Sequence, residues 1–337
     1  MRVLNLSLDR TIEDKKSLVA KRLAALSRAA GEVVVLVPRA GNKVHECIAL
    51  WRRAAAVLSK SRCDLITVQD TAYLALLAYL LARRFTIPLE IQVHGFESRS
   101  LLRRILARFL LYRADAVRVV SNRLNLLLST NYHLLSTKIY TLPVYTQIEA
   151  PREVQAKDHS VFSFLTVGRL VPVKNIGMQI HAFARLVKDS PNARLVIVGD
   201  GPELPNLQLS ISDFQLQDKI ILTGRQNDVS QYYKEADAFL LTSDSEGWGV
   251  AVTEAAAFGL PIIMTDVGLA GEFIKDGENG IVIPVGDEDA LFSAMKRLVR
   301  DAGLRVRLGE AALRSFYALP RADEQIQKQV EAWRSLE

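Results

Sequence analysis

The 337-residue sequence predicts an α/β protein made of two doubly wound parallel-sheet units in tandem. Three observations predict it. Short β-branched runs alternate with helical patterns along the chain, a polar stretch interrupts that rhythm near the middle, and the same rhythm then starts again. Parallel neighbours need long crossovers, and helices in those crossovers cover both faces of the sheet.

The first half opens on VLNLSL (3–8), followed by KSLVAKRLAALSRAAG (16–31), whose apolar positions recur three or four apart as on one helix face. Strands are then expected at EVVVLVP (32–38), DLITVQ (64–69), LEIQVHG (89–95), DAVRVVS (115–121) and KIYTLPV (138–144). The apolar run TAYLALLAYLLA (71–82) falls well short of the roughly 20 residues that span a bilayer, so it predicts a buried helix. EAPREVQAKDHS (149–160) has the polarity of an interdomain linker, which sets the expected domains at 1–150 and 151–321. Strands resume at FSFLTVG (162–168), RLVIVG (194–199), KIILTG (219–224), AFLLTS (238–243), PIIMT (261–265) and GIVIP (280–284). Sheets of this kind bind ligands beyond the carboxyl ends of their strands, and two facing units offer a cleft between them.

Composition is that of an ordinary soluble protein, 49% hydrophobic and 24% charged. Two cysteines, Cys47 and Cys63, fit reduced core thiols. MRVLNLSLDR turns polar after a strand-length run, so no secretory leader and a cytoplasmic protein are expected. The charge is split. Residues 1–150 hold 23 Lys and Arg against 11 Asp and Glu, whereas the remainder holds 20 against 26. A basic half suggests an anionic surface as its partner. Its focus is SRSLLRRILARFLLYR (98–113), with Leu101, Leu102, Ile105, Leu106, Phe109 and Leu110 at helical spacing and Arg99, Arg103, Arg104 and Arg108 between them. One expectation buries the leucines and Phe109 against the sheet and leaves the arginines in water. The other rests the helix on an anionic membrane, the inner face of the plasma membrane, beside a lipid-linked acceptor. Nucleic acid is not an expected partner.

The chemistry concentrates in SEGWGVAVTEAAAFGLP (245–261). Glu246 follows a strand and so lies at the carboxyl edge of the second sheet. Glu254 lies about one turn into a helix that starts near Val250, at roughly 1.5 Å of rise per residue. Gly247 and Gly249 let backbone approach a ligand, and free amides at a helix start favour an anion. Acids near a helix start also complement its dipole, which is the bland alternative. Two carboxylates flanking exposed amides suit a ligand with phosphate in its middle and hydroxyls at both ends, a nucleotide sugar. Arg169 and Lys174 in VGRLVPVKN (167–175) follow another strand and supply cations for a diphosphate; they could equally be surface charges.

GRLVPVKN, GDGPEL (199–204), AD-FLLTSDSEGWG (236–249) and the E-x7-E pair Glu246 and Glu254 together resemble the retaining glycosyltransferases of family four, glycosyl transferases group 1, which have the GT-B fold. The first half resembles them through the HG of QVHG (92–95), ADAVRVVS (114–121) and the strand before Pro143. The resemblance implies that Arg169 and Lys174 bind the donor diphosphate, Glu254 the ribose and Glu246 the donor sugar. It further implies donor contacts from Gly168 and from Gly247, Trp248, Gly249 and Val250, and a hydrogen bond from His94 near the anomeric carbon. The implied function is transfer of a sugar from a nucleotide-diphosphate sugar to a hydroxyl of a glycan or lipid-linked acceptor, without metal or cofactor. Catalysis then rests on His94, Arg169, Lys174 and Glu246. The resemblance also sends the final helix, near 322–337, back onto the first domain. Two stretches depart from the pattern: NLSLDRTIEDKKS (5–17) has no glycine, and PVYTQ (143–147) stands where Pro-Asn-Gly is usual. A nucleotide-sugar-binding regulatory protein without transferase activity, and an epimerase on the same fold, stay open at this point. GDGP lacks the third glycine of a dinucleotide fingerprint.

Overall fold

The computed structural model describes residues 1–14, 17–39, 43–95, 100–134, 138–144 and 160–336. The expected boundary at 150/151 and nearly all of the expected linker lie outside the described residues, as do Arg99 and residues 145–147. The chain divides into two compact units, Met1–Gln147 with Pro320–Glu337, and Ile148–Leu319.

Unit 1 runs β1 (Arg2–Leu6), α1 (Leu18–Ala30), β2 (Glu32–Leu36), α2 (Lys43–Lys60), β3 (Leu65–Val68), α3 (Tyr73–Phe85), β4 (Leu89–Val93), α4 (Leu101–Arg113), β5 (Ala116–Val119), α5 (Asn122–Asn131) and β6 (Ile139–Thr141). Unit 2 runs β7 (Phe162–Val167), α6 (Ile176–Asp189), β8 (Ala193–Val198), α7 (Leu204–Asp213), β9 (Ile220–Leu222), α8 (Ser230–Glu235), β10 (Ala238–Leu241), α9 (Val250–Ala257), β11 (Ile262–Thr265), β12 (Ile281–Ile283), α10 (Glu288–Arg300) and α11 (Ala302–Tyr317). The last helix, α12 (Ala322–Arg334), belongs to unit 1.

Each sheet has six strands, ordered β2-β1-β3-β4-β5-β6 and β12-β11-β10-β7-β8-β9, and every recorded pairing is parallel. Strand β10 pairs with β7, Phe239 opposite Leu165. The order of unit 2 reverses between β7 and β10, and in open α/β sheets such a switch point opens a crevice at the carboxyl ends. The rhythm of apolar runs forecast this because parallel strands are buried on both faces, as β3, β4, β5, β10 and β11 are throughout.

In unit 1 a polar belt crosses one face of the sheet. Thr67, Glu90, Gln92 and Arg118 are buried on β3, β4 and β5. Glu90 accepts hydrogen bonds from Thr67, from Gln92 Nε2 at 2.8 Å, from the Tyr140 hydroxyl and from the Trp333 indole N–H at 3.0 Å. Arg118 donates to Gln92 Oε1 at 3.2 Å, to Gln329 Oε1 at 3.3 Å and to the Leu142 carbonyl at 3.2 Å. A buried carboxylate and a buried guanidinium are tolerable only when so many partners replace water. Two of those partners, Gln329 and Trp333, come from α12, which also packs Val330 and Trp333 against Val3, Leu26, Ala30 and Leu65.

Two expectations need correction. Helix α3 buries Leu74, Leu77, Ala78 and Leu81, yet Tyr73 and Leu80 are exposed. Helix α4 does not bury its leucines and phenylalanine as a set. Leu101, Leu102, Ile105, Phe109 and Tyr112 are 67, 75, 58, 43 and 49% exposed, and only Ala107, Leu110 and Leu111 are buried. The spacing permits two apolar arcs on one helix, and the fold buries the smaller one.

Candidate functional site

The site forms where the chain leaves β7 and β10. After β7 the loop at Gly168–Leu170 is clamped by the turn after β8. Gly168 N–H donates to the Val198 carbonyl at 3.0 Å and Leu170 N–H to the Asp200 carbonyl at 2.9 Å. A Cβ on Gly199 would lie 1.8 Å from the Gly168 carbonyl oxygen, and one on Gly201 would lie 2.3 Å from that of Leu170. The glycines of GDGP therefore support the Arg169 loop, which accounts for the motif without a dinucleotide.

A buried Gln179 ties the two edges together. Its Oε1 accepts from Thr166 Oγ1 at 2.6 Å and its Nε2 donates to Thr242 Oγ1 at 2.8 Å. Asp244 N–H donates to the Val173 carbonyl at 2.8 Å, and the Thr242 hydroxyl lies 3.1 Å from the carbonyls of both Lys174 and Asn175. The loops after β7 and β10 are thus held side by side, and Lys174 meets Glu246. Their ammonium and carboxylate are directly paired, with side chains 23 and 12% exposed, and Ser243 Oγ donates to the same Glu246 oxygen at 2.7 Å. In a half-buried pair each charge covers the desolvation of the other, so deleting one partner strands its mate.

Gly249 caps α9 at a φ of +89°, and Val250 is exposed at the first turn. The first amides of any helix lack intrahelical acceptors and attract an anion. Trp248 is buried, and its indole nitrogen has no hydrogen-bond partner among the described residues. Glu254, half-buried on α9, accepts a hydrogen bond on Oε2 from the Tyr233 hydroxyl at 2.8 Å. Tyr233 is fully buried, and burial together with the Glu254 charge pushes its phenol well above the usual tyrosine range. Arg169 is exposed, with no ion-pair partner among the described residues.

Sequence reasoning missed three residues here. Tyr233 carried a faint signal, an aromatic just before AD-FLLTSD. Gln179 carried only its polarity on an otherwise apolar helix face. Gly268, at a φ of +52°, makes room for the site, since a Cβ there would sit 2.8 Å from Glu246 Cβ.

His94 lies just past β4 in unit 1, apart in the chain from the unit 2 cluster. Its Nε2 is buried without a hydrogen-bond partner among the described residues. Desolvation, then Arg118, then Arg22, hold its pKa well below 6.5, so the folded imidazole is neutral near neutral pH. It can donate or accept one hydrogen bond but does not carry charge. Among the described residues, no group of three His, Cys, Asp or Glu is placed to hold a metal ion, and no helix is long and apolar enough to cross a membrane.

The chain belongs to the family described as glycosyl transferases group 1, whose model matches residues 147–315. It is a glycosyltransferase. It is 27% identical over 293 residues to N-acetyl-alpha-D-glucosaminyl L-malate synthase of Bacillus anthracis, covering 82% of this chain and 76% of that one. It is 26% identical over 286 residues to alpha-monoglucosyldiacylglycerol synthase of Acholeplasma laidlawii, covering 75% of this chain and 71% of that one. Its fold is similar to that of Anabaena HepE, solved in complex with UDP-glucose, with a TM-score of 0.83 at 17% identity over 99% of both chains. The fold is thus GT-B, as expected.

The state of His94 has a measurable consequence. Below about pH 6.5 the unfolded chain binds a proton that folded His94 refuses, so stability falls as pH drops. His94→Gln is expected to flatten the decline in melting temperature between about pH 7 and about pH 5. Equal declines in both proteins would contradict a neutral, buried imidazole.

Proposed function

We propose that the protein is a retaining, metal-independent glycosyltransferase that moves a sugar from a nucleotide-diphosphate sugar to a hydroxyl of a glycan or lipid-linked acceptor. The observation that carries this reading is the paired Lys174 and Glu246 at the carboxyl edge of β7 and β10, beside the α9 N-terminus. Lys174 and Arg169 take the diphosphate, Glu246 the sugar hydroxyls, Glu254 the ribose, and the Gly247–Val250 amides, with Gly168 and Trp248, line the rest. His94 donates to the sugar near its anomeric carbon. The bond from that carbon to the phosphate oxygen breaks, the acceptor oxygen bonds on the same face, and the departing phosphate takes the acceptor proton. Catalysis rests on charge neutralisation and positioning, since two cations can stabilise the developing diphosphate.

A panel of UDP-, GDP- and ADP-sugars tests this by thermal shift, because a ligand that binds only the folded state raises its melting temperature. With the donor so found, Glu254→Ala and Lys174→Ala are expected to weaken binding by ~1.5–3 kcal/mol, the worth of a charge-assisted hydrogen bond. His94→Ala is expected mainly to lower turnover. The product should keep the donor's anomeric configuration, and chelator should not slow the reaction. Wild-type donor affinity in Glu254→Ala would remove the central assignment.

Helix α4 supports a peripheral contact with anionic membrane. At about 100° per residue its exposed Leu101, Leu102, Ile105, Phe109 and Tyr112 fall within an arc of about 100°, bordered by Arg104 and Arg108 on one side and Arg113 on the other. Apolar residues dip below the headgroups while each cation adds ~1 kcal/mol at an anionic surface. Binding to anionic vesicles should weaken with salt, be small on neutral vesicles, and be lost on replacing Arg103, Arg104 and Arg108 with glutamine. No binding to anionic vesicles at low salt would favour a soluble acceptor.

A further inference from the structure

Tyr233 is a buried titratable group that the roles above leave unused. We propose that it is the positioning residue that makes the donor site selective for ribonucleotides: its hydroxyl holds the Glu254 carboxylate in the orientation that reads ribose hydroxyls, so that deoxyribose donors are rejected. The proposal rests on the assignment of Glu254 to the ribose.

The geometry fixes the phenol more firmly than a hydrogen bond alone would. The Tyr233 ring stacks on Phe258 with centroids 5.4 Å apart and planes 10° from parallel, and Phe239 lies 5.9 Å away. A side chain of two torsions, packed on both aromatic neighbours, leaves its oxygen one place to be. That oxygen lies 2.8 Å from Glu254 Oε2 and 3.4 Å from the Ala251 carbonyl, so the carboxylate is the better acceptor for its single proton. Burial and the neighbouring negative charge push the phenol's pKa up and keep the proton on the tyrosine near neutral pH.

Glu254 needs such an anchor. It is half-buried on α9 between the fully buried Thr253 and Ala255, and its own side chain turns about three bonds. A carboxylate that reads two neighbouring hydroxyls must present its oxygens in one plane, and every other rotamer dilutes binding. Once held, it also discriminates. A site built to accept a hydrogen bond from a substrate hydroxyl rejects the analogue without it, because the buried acceptor is left unpaired. If Tyr233 only needed a partner for a buried hydroxyl, its loss would change stability and leave the choice of sugar alone.

Isothermal titration of the full chain with UDP, GDP and ADP, and with their 2′-deoxy counterparts, separates these readings. Wild type is expected to prefer the ribo form of the nucleotide it binds by about tenfold or more, as for loss of a charge-assisted hydrogen bond. Tyr233→Phe and Glu254→Gln should each bring the preference to within about threefold, and the double variant should add nothing further, because the two residues act as one unit. Its melting temperature should stay within several degrees of wild type. If wild type binds none of the nucleotides, or binds ribo and deoxy forms alike, the ribose assignment itself fails and the proposal with it. If Glu254→Gln loses the preference but Tyr233→Phe keeps it, or if the two losses simply add, the ribose assignment stands and the role of Tyr233 is overturned. A Tyr233→Phe protein that fails to fold would make the phenol a stability element and also overturn the proposal.

Discussion

The half-buried ion pair of Lys174 and Glu246 is the contact on which the site in unit 2 depends. It joins the loop after β7 to the loop after β10, the two strands between which the sheet reverses its order. Around it the structure supplies little slack. Gln179 bonds both edges, Ser243 donates to the same carboxylate oxygen as Lys174, and Gly268 exists where any side chain would push Glu246 away. The pair therefore does two jobs. It keeps two charges in a partly desolvated crevice without a large penalty, and on the proposed reading it sets the cation that takes phosphate beside the carboxylate that takes sugar hydroxyls.

Unit 1 solves a related problem with different parts. Glu90 and Arg118 are buried on neighbouring strands, and each hydrogen-bonds to several partners. Trp333 and Gln329 reach these groups from α12, so the last helix completes the hydrogen bonding of strands near the start of the chain. Arg118 also contributes to the neutrality of His94, which lies just past β4. The polar belt is thus linked to the electrostatics at the end of β4.

The fold was legible because buried parallel strands write continuous apolar runs, and six such runs appear on each side of EAPREVQAKDHS. The cluster at Glu246 was legible for the same local reason: strand end, glycine turn, helix start and carboxylates are consecutive in SEGWGVAVTE. What the sequence hid depends on partners far apart along the chain. Tyr233 meets Glu254 across 21 positions, Gln179 meets Thr242 across 63, and Trp333 meets Glu90 across 243. Helix α4 was obscured differently. Periodicity shows that a helix has apolar arcs, but only its packing shows which arc the fold buries.

Hydrogen exchange with and without saturating donor tests the central assignment most directly. The amides of 168–175 and 243–254 are expected to exchange more slowly when a nucleotide-diphosphate sugar is bound, because the ligand covers both loops and the start of α9. Unchanged exchange in those two segments, with protection confined to other parts of unit 2, would place the donor elsewhere and contradict the account.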